Sequence, residues 1–314
     1  MHLEIRKKGK RKVYYLAHSF RDEGKVRKIR RYLGIDLSEK KLRKIRQQAE
    51  EAMKGQMEIY KVIRDPFRTV LSSKEVREVE NLISRKEIKI NHLSEEEWKR
   101  FTELFTYSTN AIEGSTVNLS EVKDILERNK WPPKSKEEIS ETYGVAEAIE
   151  YIRKTRDHLS INLMKKLHKI TFNNSKSFAG KLRGKGVEVV IADGFGNIVH
   201  RGAPQRQVNS LLKELVSWYR KNKTKYHPIL IAAVIHNQFE NIHPFQDGNG
   251  RVGRLILNNI LLKHNFPPVN IDFKNRSEYY LALQDYEKRG NIRPTIELIL
   301  KEYKIFRKNS RKGG

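Results

Sequence analysis

Residues 243–254 read HPFQDGNGRVGR and place an imidazole, a carboxylate, a glycine-rich turn and two guanidinium groups in one short stretch. The imidazole of His243 can take up a proton near neutral pH, and the carboxylate of Asp247 can hold a hard divalent cation. Glycine lets backbone N–H groups approach a phosphate closely, and arginine binds phosphate with two parallel hydrogen bonds. The stretch therefore predicts a site for a nucleotide phosphate.

The predicted loop lies between two apolar runs of helical length, residues 227–242 and 251–264. A helix, the loop and a second helix are expected, with the second helix beginning at Asn249 or Gly250. Its unpaired N–H groups and the positive end of its dipole would then point at an anion in the loop. Arg251, Arg254 and Asn258 follow helical spacing and are expected to share one face of that helix.

The stretch resembles a known family, because HPFQDGNGRVGR matches the signature of Fic domain proteins at every fixed position. The resemblance extends to His236 and Phe239 before the stretch, and it covers roughly residues 100 to 300. It implies a mainly α fold, with a Fic-type helical core and a β-hairpin flap. To this we add a small, basic β-ribbon at the N-terminus.

A second motif, Thr109-Asn110-Ala111-Ile112-Glu113-Gly114, resembles the inhibitory motif of the Fic class that carries its inhibitory helix in the same chain. The resemblance implies that Glu113 pairs with Arg254 and withholds it from the γ-phosphate of ATP. Thr109 and Gly114 belong to the same motif. A capping box of Ser94 and Glu97 begins the expected helix, and Gly114 follows its end as a left-handed cap.

The resemblance supplies a reaction, the transfer of AMP from ATP to a Ser, Thr or Tyr hydroxyl of a protein. His243 would take the proton from that hydroxyl, and Asp247 would hold Mg²⁺ between the α and β phosphates. The phosphates would be bound by an anion cradle that includes two arginines. Its residues are Gly248, Asn249, Gly250, Arg251 and Arg254.

Two further sites follow from the resemblance. Residues 187–191 and 198–201 are expected to form a hairpin flap that docks the target backbone by strand addition, through Val187, Val189, Ile191 and Ile198. An ordinary surface hairpin is the alternative. Tyr279, Tyr280 and Asn258 are candidates for the adenine pocket, although tyrosines at helical positions are also typical of a core. Residues 286–291 depart from the family pattern, so transfer of another nucleotide stays open.

Charge is concentrated at the chain ends. The net charge is +26, and residues 1–33 hold twelve Lys and Arg against three Asp and Glu. Residues 13–20 and 26–33 are rich in strand-forming side chains around a turn, which predicts a hairpin or a three-stranded ribbon. Basic side chains between aromatic ones indicate nucleic-acid binding through residues 1–36. A solvated basic appendage is the alternative interpretation.

These patterns predict four segments: a basic β-ribbon (1–36), an N-terminal helical region (37–93), the Fic domain with its inhibitory helix (94–300) and a basic tail (301–314). A break in the helical region is expected at Asp65-Pro66, and another helix is expected after Ser135 with Glu138. The absence of cysteine excludes disulfides and thiol catalysis. No signal peptide or membrane span is recognised, so a cytoplasmic protein is expected.

The sequence thus predicts a self-inhibited protein adenylyltransferase with Mg²⁺ as cofactor and ATP as co-substrate. Its partner would be a protein substrate, which could be a second copy of the chain, and a homodimer stays open. Two alternative functions stay open. The site could remove AMP, with Glu113 activating water, or the basic ribbon could make the protein a nucleic-acid-binding regulator.

Overall fold

The computed structural model describes residues 1–9, 11–22, 25–64, 93–192 and 198–310. The chain forms two compact units, Met1–Val62 and Ile63–Gly314. The helix break expected at Asp65-Pro66, the hairpin turn at 193–197 and the end of the tail at 311–314 lie outside the described residues.

The first unit is a three-stranded antiparallel sheet followed by one long helix. Strands β1 (His2–Lys8), β2 (Arg11–Asp22) and β3 (Lys25–Ile35) pair in chain order, and helix α1 spans Glu39–Arg64. Alternate apolar residues of the sheet face this helix, because strand side chains point to opposite faces in turn. The β-ribbon expected from the sequence is confirmed, in its three-stranded form.

Helix α1 belongs to the same unit as the sheet, so the boundary predicted after residue 36 does not separate two bodies. Tyr14, Leu16 and Leu33 from the sheet form one buried cluster with Ala49 and Met53 from the helix. A three-stranded sheet of this size cannot bury an apolar face by itself, and the helix supplies the cover.

Over its described residues, 93–192 and 198–310, the second unit is helical apart from one short hairpin. Its helices are α2 (Glu95–Ile112), α3 (Leu119–Arg128), α4 (Lys136–Lys154), α5 (Ile161–Phe172), α6 (Gln205–Asn222), α7 (Pro228–Ile242), α8 (Asn249–Lys263), α9 (Arg276–Arg289) and α10 (Arg293–Ser310). A 3₁₀ turn spans Phe273–Asn275, and strands β4 (Val190–Ala192) and β5 (Ile198–Arg201) form the hairpin. None of the described helices is both long and apolar enough to cross a membrane. The mainly α fold class is confirmed.

The helix starts expected from capping signals are confirmed. Ser94 accepts a hydrogen bond from the Glu97 N–H, and the Glu97 carboxylate accepts one from the Ser94 N–H. Ser135 accepts from the Glu138 N–H in the same way. Each cap satisfies a backbone donor that the first turn of a helix leaves without a partner.

Helices α7 and α8 form the centre of the second unit. Helix α7 packs against α6, α9 and α10, while α8 packs against α2, α4 and α5. Since other helices cover both, α7 is apolar on nearly all sides, and every residue from Ile229 to Glu240 is buried. This packing holds the loop between the two helices at one end of a rigid core.

The segment predicted as a basic tail, residues 301–314, includes the end of α10, which continues to Ser310. Glu302 and Tyr303 are buried. The Tyr303 hydroxyl donates to the Pro267 carbonyl, and the Glu302 carboxylate accepts from the Asn275 side chain. Both hydrogen bonds join α10 to residues that are distant in the sequence. These long-range bonds make residues 302 and 303 part of the core.

Gly144 permits close packing of α4 on α5, and its replacement by alanine is expected to destabilise the second unit by about 1–3 kcal/mol. A methyl group at position 144 would overlap the backbone carbonyl of Thr171, which cannot move aside as a flexible side chain could. Urea unfolding followed by circular dichroism measures the change. Gly184→Ala is the control, since its methyl group would meet nothing within 4 Å. Equal stability of the two variants would contradict this packing.

Candidate active site

The loop and helices expected around residues 243–254 are confirmed. Helix α7 ends at Ile242 with His243 as its left-handed cap, and α8 begins at Asn249. The Asn249 side chain accepts from the Phe245 N–H and donates to the Phe245 carbonyl. Asn249 therefore closes the loop, which corrects the prediction that its side chain belongs to the anion cradle. Only its backbone N–H remains for that role.

The N-terminus of α8 is built to receive an anion. Gly248 precedes it with φ 77° and no side-chain cap, so the N–H groups of the first turn have no partner within the helix. A side chain at position 248 would overlap the ring of Phe172. Glycine is thus required both by the left-handed backbone and by the packed ring.

His243 is held in the tautomer that a general base needs. Its Nδ1 lies 3.0 Å from the Glu240 carbonyl oxygen, which can only accept, so Nδ1 carries the proton and Nε2 keeps its lone pair. Burial lowers the pKa of His243 to about 4. The ring is therefore neutral at pH 7 and able to accept a proton.

The backbone at His243 is fixed by Arg183, which lies before the flap in the sequence. Arg183 is buried, and its Nε donates to the His243 carbonyl at 2.8 Å. Other nitrogens of the same guanidinium donate to the carbonyls of Val187, Ala203 and Ile242. One side chain thus joins the start of the flap, the end of the flap and the catalytic loop.

Asp247 lies beside the N-terminus of α8, with about half of its side chain exposed. Burial opposes its ionisation, but Arg251, Lys176 and the Gly248 N–H together lower its pKa below the usual value. Lys176 Nζ lies 3.2 Å from Asp247 Oδ2. No group of three or more His, Cys, Asp or Glu that could hold a metal ion occurs among the described residues. Asp247 therefore offers one ionised carboxylate.

Arg254 is almost fully buried and bound to the second motif. Its Nη2 donates to Glu113 Oε1 at 2.7 Å and to the Thr109 carbonyl at 3.0 Å, and its Nε donates to Thr109 Oγ1 at 2.8 Å. The side chain of Arg254 is 2% exposed, whereas that of Glu113 is 29% exposed. The Glu113 carboxylate can therefore move into solvent more easily than the Arg254 guanidinium can.

Glu113 also lies against the first turn of α8. A methyl group on residue 250 would overlap Glu113 Oε1, so the carboxylate occupies space directly over Gly250. Glu113 is the C-terminal cap of α2, and Gly114 follows with φ 92°, as the sequence predicted. The end of one helix thus places a carboxylate at the anion-binding start of another.

The partner of Arg251 was not found from the sequence. Arg251 Nη1 donates to Glu141 Oε2, and its guanidinium lies 4.5 Å from the centre of the Phe172 ring. Lys176 Nζ lies 3.6 Å from the other Glu141 oxygen. Glu141 lies mid-helix within an ordinary amphipathic pattern, which carries no local signal for this pairing. Both arginines of the motif are therefore paired with carboxylates.

The flap is present but shorter than predicted. Strand β4 begins at Val190 instead of Val187, although the Gly202 N–H still donates to the Val189 carbonyl. The Val187 carbonyl accepts from Arg183, which holds this residue away from the ladder. Ile191 is exposed and pairs with His200, while Ile198 pairs with Ala192.

A cleft of about 600 Å³ joins these features. Its lining includes His243 and Asp247 from the loop, Glu113 from α2, and parts of the flap and α9. His200 and Glu287, which the sequence did not single out, meet at the flap side, with His200 Nδ1 2.9 Å from Glu287 Oε1. Arg251 and Arg254 do not line the cleft, because their side chains are buried against Glu141 and Glu113.

The three candidates for the adenine pocket have different positions. Tyr280 lines the cleft, is partly exposed and donates to the Ile112 carbonyl. Tyr279 also lines the cleft but is buried, and its hydroxyl lies 3.0 Å from His236 Nε2 and 3.2 Å from Arg254 Nη1. Asn258 is not a pocket residue, because its amide is used entirely in hydrogen bonds to backbone groups of Val269 and Arg254.

Comparison with known proteins agrees with this geometry. Residues 158–261 match the model of the Fic/DOC family. The protein adenylyltransferase fic-1 of Caenorhabditis elegans is 33% identical over 208 residues, covering 63% of this chain and 39% of the relative. The protein adenylyltransferase Fic of Nematostella vectensis is 35% identical over 202 residues, covering 62% and 45%. The chain thus spans about two fifths of the length of these curated relatives.

Solved structures show the same fold. A Fic family protein from Desulfovibrio desulfuricans G20 superposes with a TM-score of 0.63 at 23% identity, covering 76% of this chain and 73% of the other. Residues 134–508 of Fic-1 from Caenorhabditis elegans superpose with a TM-score of 0.61 at 24% identity, covering 89% and 80%. Together with the motif, the helical core and the flap, these comparisons show that residues 158–261 match the Fic/DOC family and that the chain has the fold of solved Fic structures.

Proposed function

We propose that this protein transfers AMP from ATP to a hydroxyl of a protein, and that Glu113 restrains the transfer. The observation that carries the proposal is the ion pair of 2.7 Å between Glu113 and Arg254, directly beside the cleft that contains His243. A base, an anion site and a removable blocking carboxylate are thus combined in one place. The names of the curated relatives support the same activity.

In this reaction the neutral His243 takes the proton of the target hydroxyl at Nε2. The hydroxyl oxygen forms a bond to the α-phosphorus as the bond from that phosphorus to the bridging oxygen breaks, and pyrophosphate leaves. The unpaired N–H groups at the start of α8 stabilise negative charge on the phosphates. Once Glu113 has moved away, Arg254 can bind the γ-phosphate.

Mg²⁺ fits the residues present, with Asp247 as its protein ligand. A single ionised carboxylate completed by phosphate oxygens and water is a common way for proteins to bind this ion. Bound there, the ion would neutralise charge on the phosphates. Lys176 pairs with the same carboxylate, so it would have to give up that contact when the ion binds.

The target hydroxyl would come from a segment that adds as a strand to the flap. Val190 and Ile191 are exposed at the cleft, and pairing with their backbone would position a peptide without selecting its sequence. We propose that the partner is a protein, with a second copy of this chain as one candidate and a homodimer as one arrangement. We propose the cytoplasm as its compartment.

ATP labelled on either the α or the γ phosphate tests the proposed function. The protein is incubated with Mg²⁺, each labelled ATP and a candidate target, or by itself, and protein-bound label is measured. Label from the α position alone is expected, because AMP is retained and pyrophosphate leaves. Label from the γ position would instead indicate a kinase reaction and overturn the proposal.

Replacement of Asp247 by Asn is expected to raise the Mg²⁺ concentration needed for half-maximal transfer by at least about tenfold, because an amide lacks the charge that attracts this ion. The measurement is a Mg²⁺ titration of transfer at fixed ATP in a Glu113→Gly background. The matched control is Asp285→Asn, which changes a carboxylate of α9 that does not line the cleft. An unchanged Mg²⁺ requirement in Asp247→Asn would remove Asp247 from metal binding.

Transfer is expected to stay near its neutral rate down to about pH 5.5 in a Glu113→Gly background. With a His243 pKa of about 4, nearly all of the base is still neutral there, whereas an ordinary histidine would be only about one tenth neutral. Initial rates between pH 5 and 8 should therefore show no loss that follows protonation of His243, whereas a midpoint near 6.5 would show a base exposed to solvent.

Removal of AMP is the second candidate function, and it is favoured by the position of the Glu113 carboxylate at the cleft. A carboxylate there could activate water as well as block Arg254. Glu113→Gln keeps the shape but loses the basicity, so it should abolish removal. The test follows release of AMP from a target modified beforehand. Because residues 286–291 depart from the family pattern, labelled GTP and UTP should be compared with ATP in the transfer assay.

A further inference from the structure

The sheet of the first unit has two unlike faces. Tyr14, Leu16 and Leu33 point toward α1 and are buried with it. Alternation along the strands and the observed register place Glu4, Arg6, Tyr15, Lys28, Arg30 and Tyr32 on the opposite face. We call these six residues the basic face.

Tyr15 lies at the centre of the basic face, on the middle strand. The guanidinium groups of Arg6 and Arg30 lie 5.7 Å and 5.8 Å from the centre of its ring. The ring of Tyr32 meets it edge to face at 5.6 Å. Two rings and two planar cations, from all three strands, are therefore gathered on one surface.

The cations of the basic face are held in place. Glu4 accepts from Arg30 Nε at 2.8 Å and pairs with Lys28 Nζ. Because Arg6, Lys28 and Arg30 outnumber this one carboxylate, the face keeps a positive charge. Residues 1–36 as a whole hold twelve Lys and Arg against four Asp and Glu. The surface thus complements a polyanion.

The aromatic rings decide which polyanion fits best. Tyr32 is 55% exposed, so part of its ring surface is open to a partner. A single nucleic-acid strand offers the flat faces of its bases for stacking, whereas a duplex stacks them on each other. A lipid headgroup offers charge and no flat face.

We propose that the basic face binds single-stranded nucleic acid. Arg6, Lys28 and Arg30 neutralise phosphates along the strand, and a base stacks on Tyr32. This function does not depend on AMP transfer, since all six residues belong to the first unit. It makes the N-terminal unit a docking module that brings the Fic domain to nucleic acid or to proteins bound there.

The test measures binding of the full chain to fluorescein-labelled dT20, to U20 and to a 20-base-pair duplex, at 50 to 300 mM salt. Tighter binding of a single strand than of the duplex is expected, and dT20 against U20 separates DNA from RNA. Tyr32→Ala should weaken binding by about tenfold, while Tyr32→Phe keeps the ring and the affinity. Arg6→Gln with Arg30→Gln should lower the slope of log affinity against log salt by about 1.4.

The matched control is Lys40→Gln with Lys44→Gln, which removes the same charge from exposed positions of α1. Its salt slope should equal that of the unchanged protein. An equal decrease of the salt slope in the two double variants would show that binding depends on net charge alone. That result would overturn the proposal. So would duplex binding that is as tight as single-strand binding, and so would the absence of binding at 50 mM salt. Circular dichroism confirms that each variant is folded.

Discussion

Glu113→Gly is expected to raise AMP transfer roughly tenfold to a hundredfold, because the substitution frees the guanidinium of Arg254. A hundredfold change corresponds to about 2.7 kcal/mol of preference for the blocked state. One charge-assisted pair with a buried arginine is sufficient for that amount. Glycine is tolerated at the end of α2, where position 113 is the cap of the helix. The measurement is the initial rate of labelling from ATP carrying label on the α phosphate.

The matched control is Glu96→Ala, which removes an exposed carboxylate from the first turn of the same helix. Its transfer rate should equal that of the unchanged protein. ATP binding by Glu113→Gly should also tighten, since Arg254 becomes available to the γ-phosphate. If the Glu113→Gly rate equals the unchanged rate in the same assay, the ion pair is structural and the restraint is disproved.

His243→Ala in the Glu113→Gly background is expected to lower transfer by about a hundredfold to ten thousandfold, the usual contribution of a positioned general base. The loss should lie in kcat, because His243 contacts the attacking hydroxyl and the phosphates are held by α8. Binding of ATP should therefore stay within a few-fold. Single-turnover labelling together with ATP titration separates the two quantities. Full activity without His243 would show that another group takes the proton.

The parts of the fold that could be predicted are those with a local cause. Ser94 and Glu97 begin α2 because a capping box satisfies backbone donors within three residues. Gly248 takes a left-handed backbone, φ 77°, that few other residues adopt. Strand-forming side chains along residues 13–20 indicate a strand. Each of these signals is complete within one turn or one strand.

The predictions that failed depended on distant partners. Asn258 shares a helix face with Arg254, yet its amide is used by Val269. Asn249 lies in the predicted cradle, yet its side chain closes the loop on Phe245. Nothing in the spacing of these residues distinguishes an amide that faces a ligand from one that satisfies backbone groups.

The sequence by itself predicted the similarity to Fic proteins, the helices on either side of residues 243–248, the helix that ends at Glu113 and the basic ribbon. Only the tertiary structure decided that Glu113 lies over Gly250, that Glu141 pairs with Arg251 and that α1 closes the N-terminal sheet. The reason is physical: caps, turns and strand alternation act between near neighbours. Ion pairs over more than a hundred residues exist only after packing has brought their helices together.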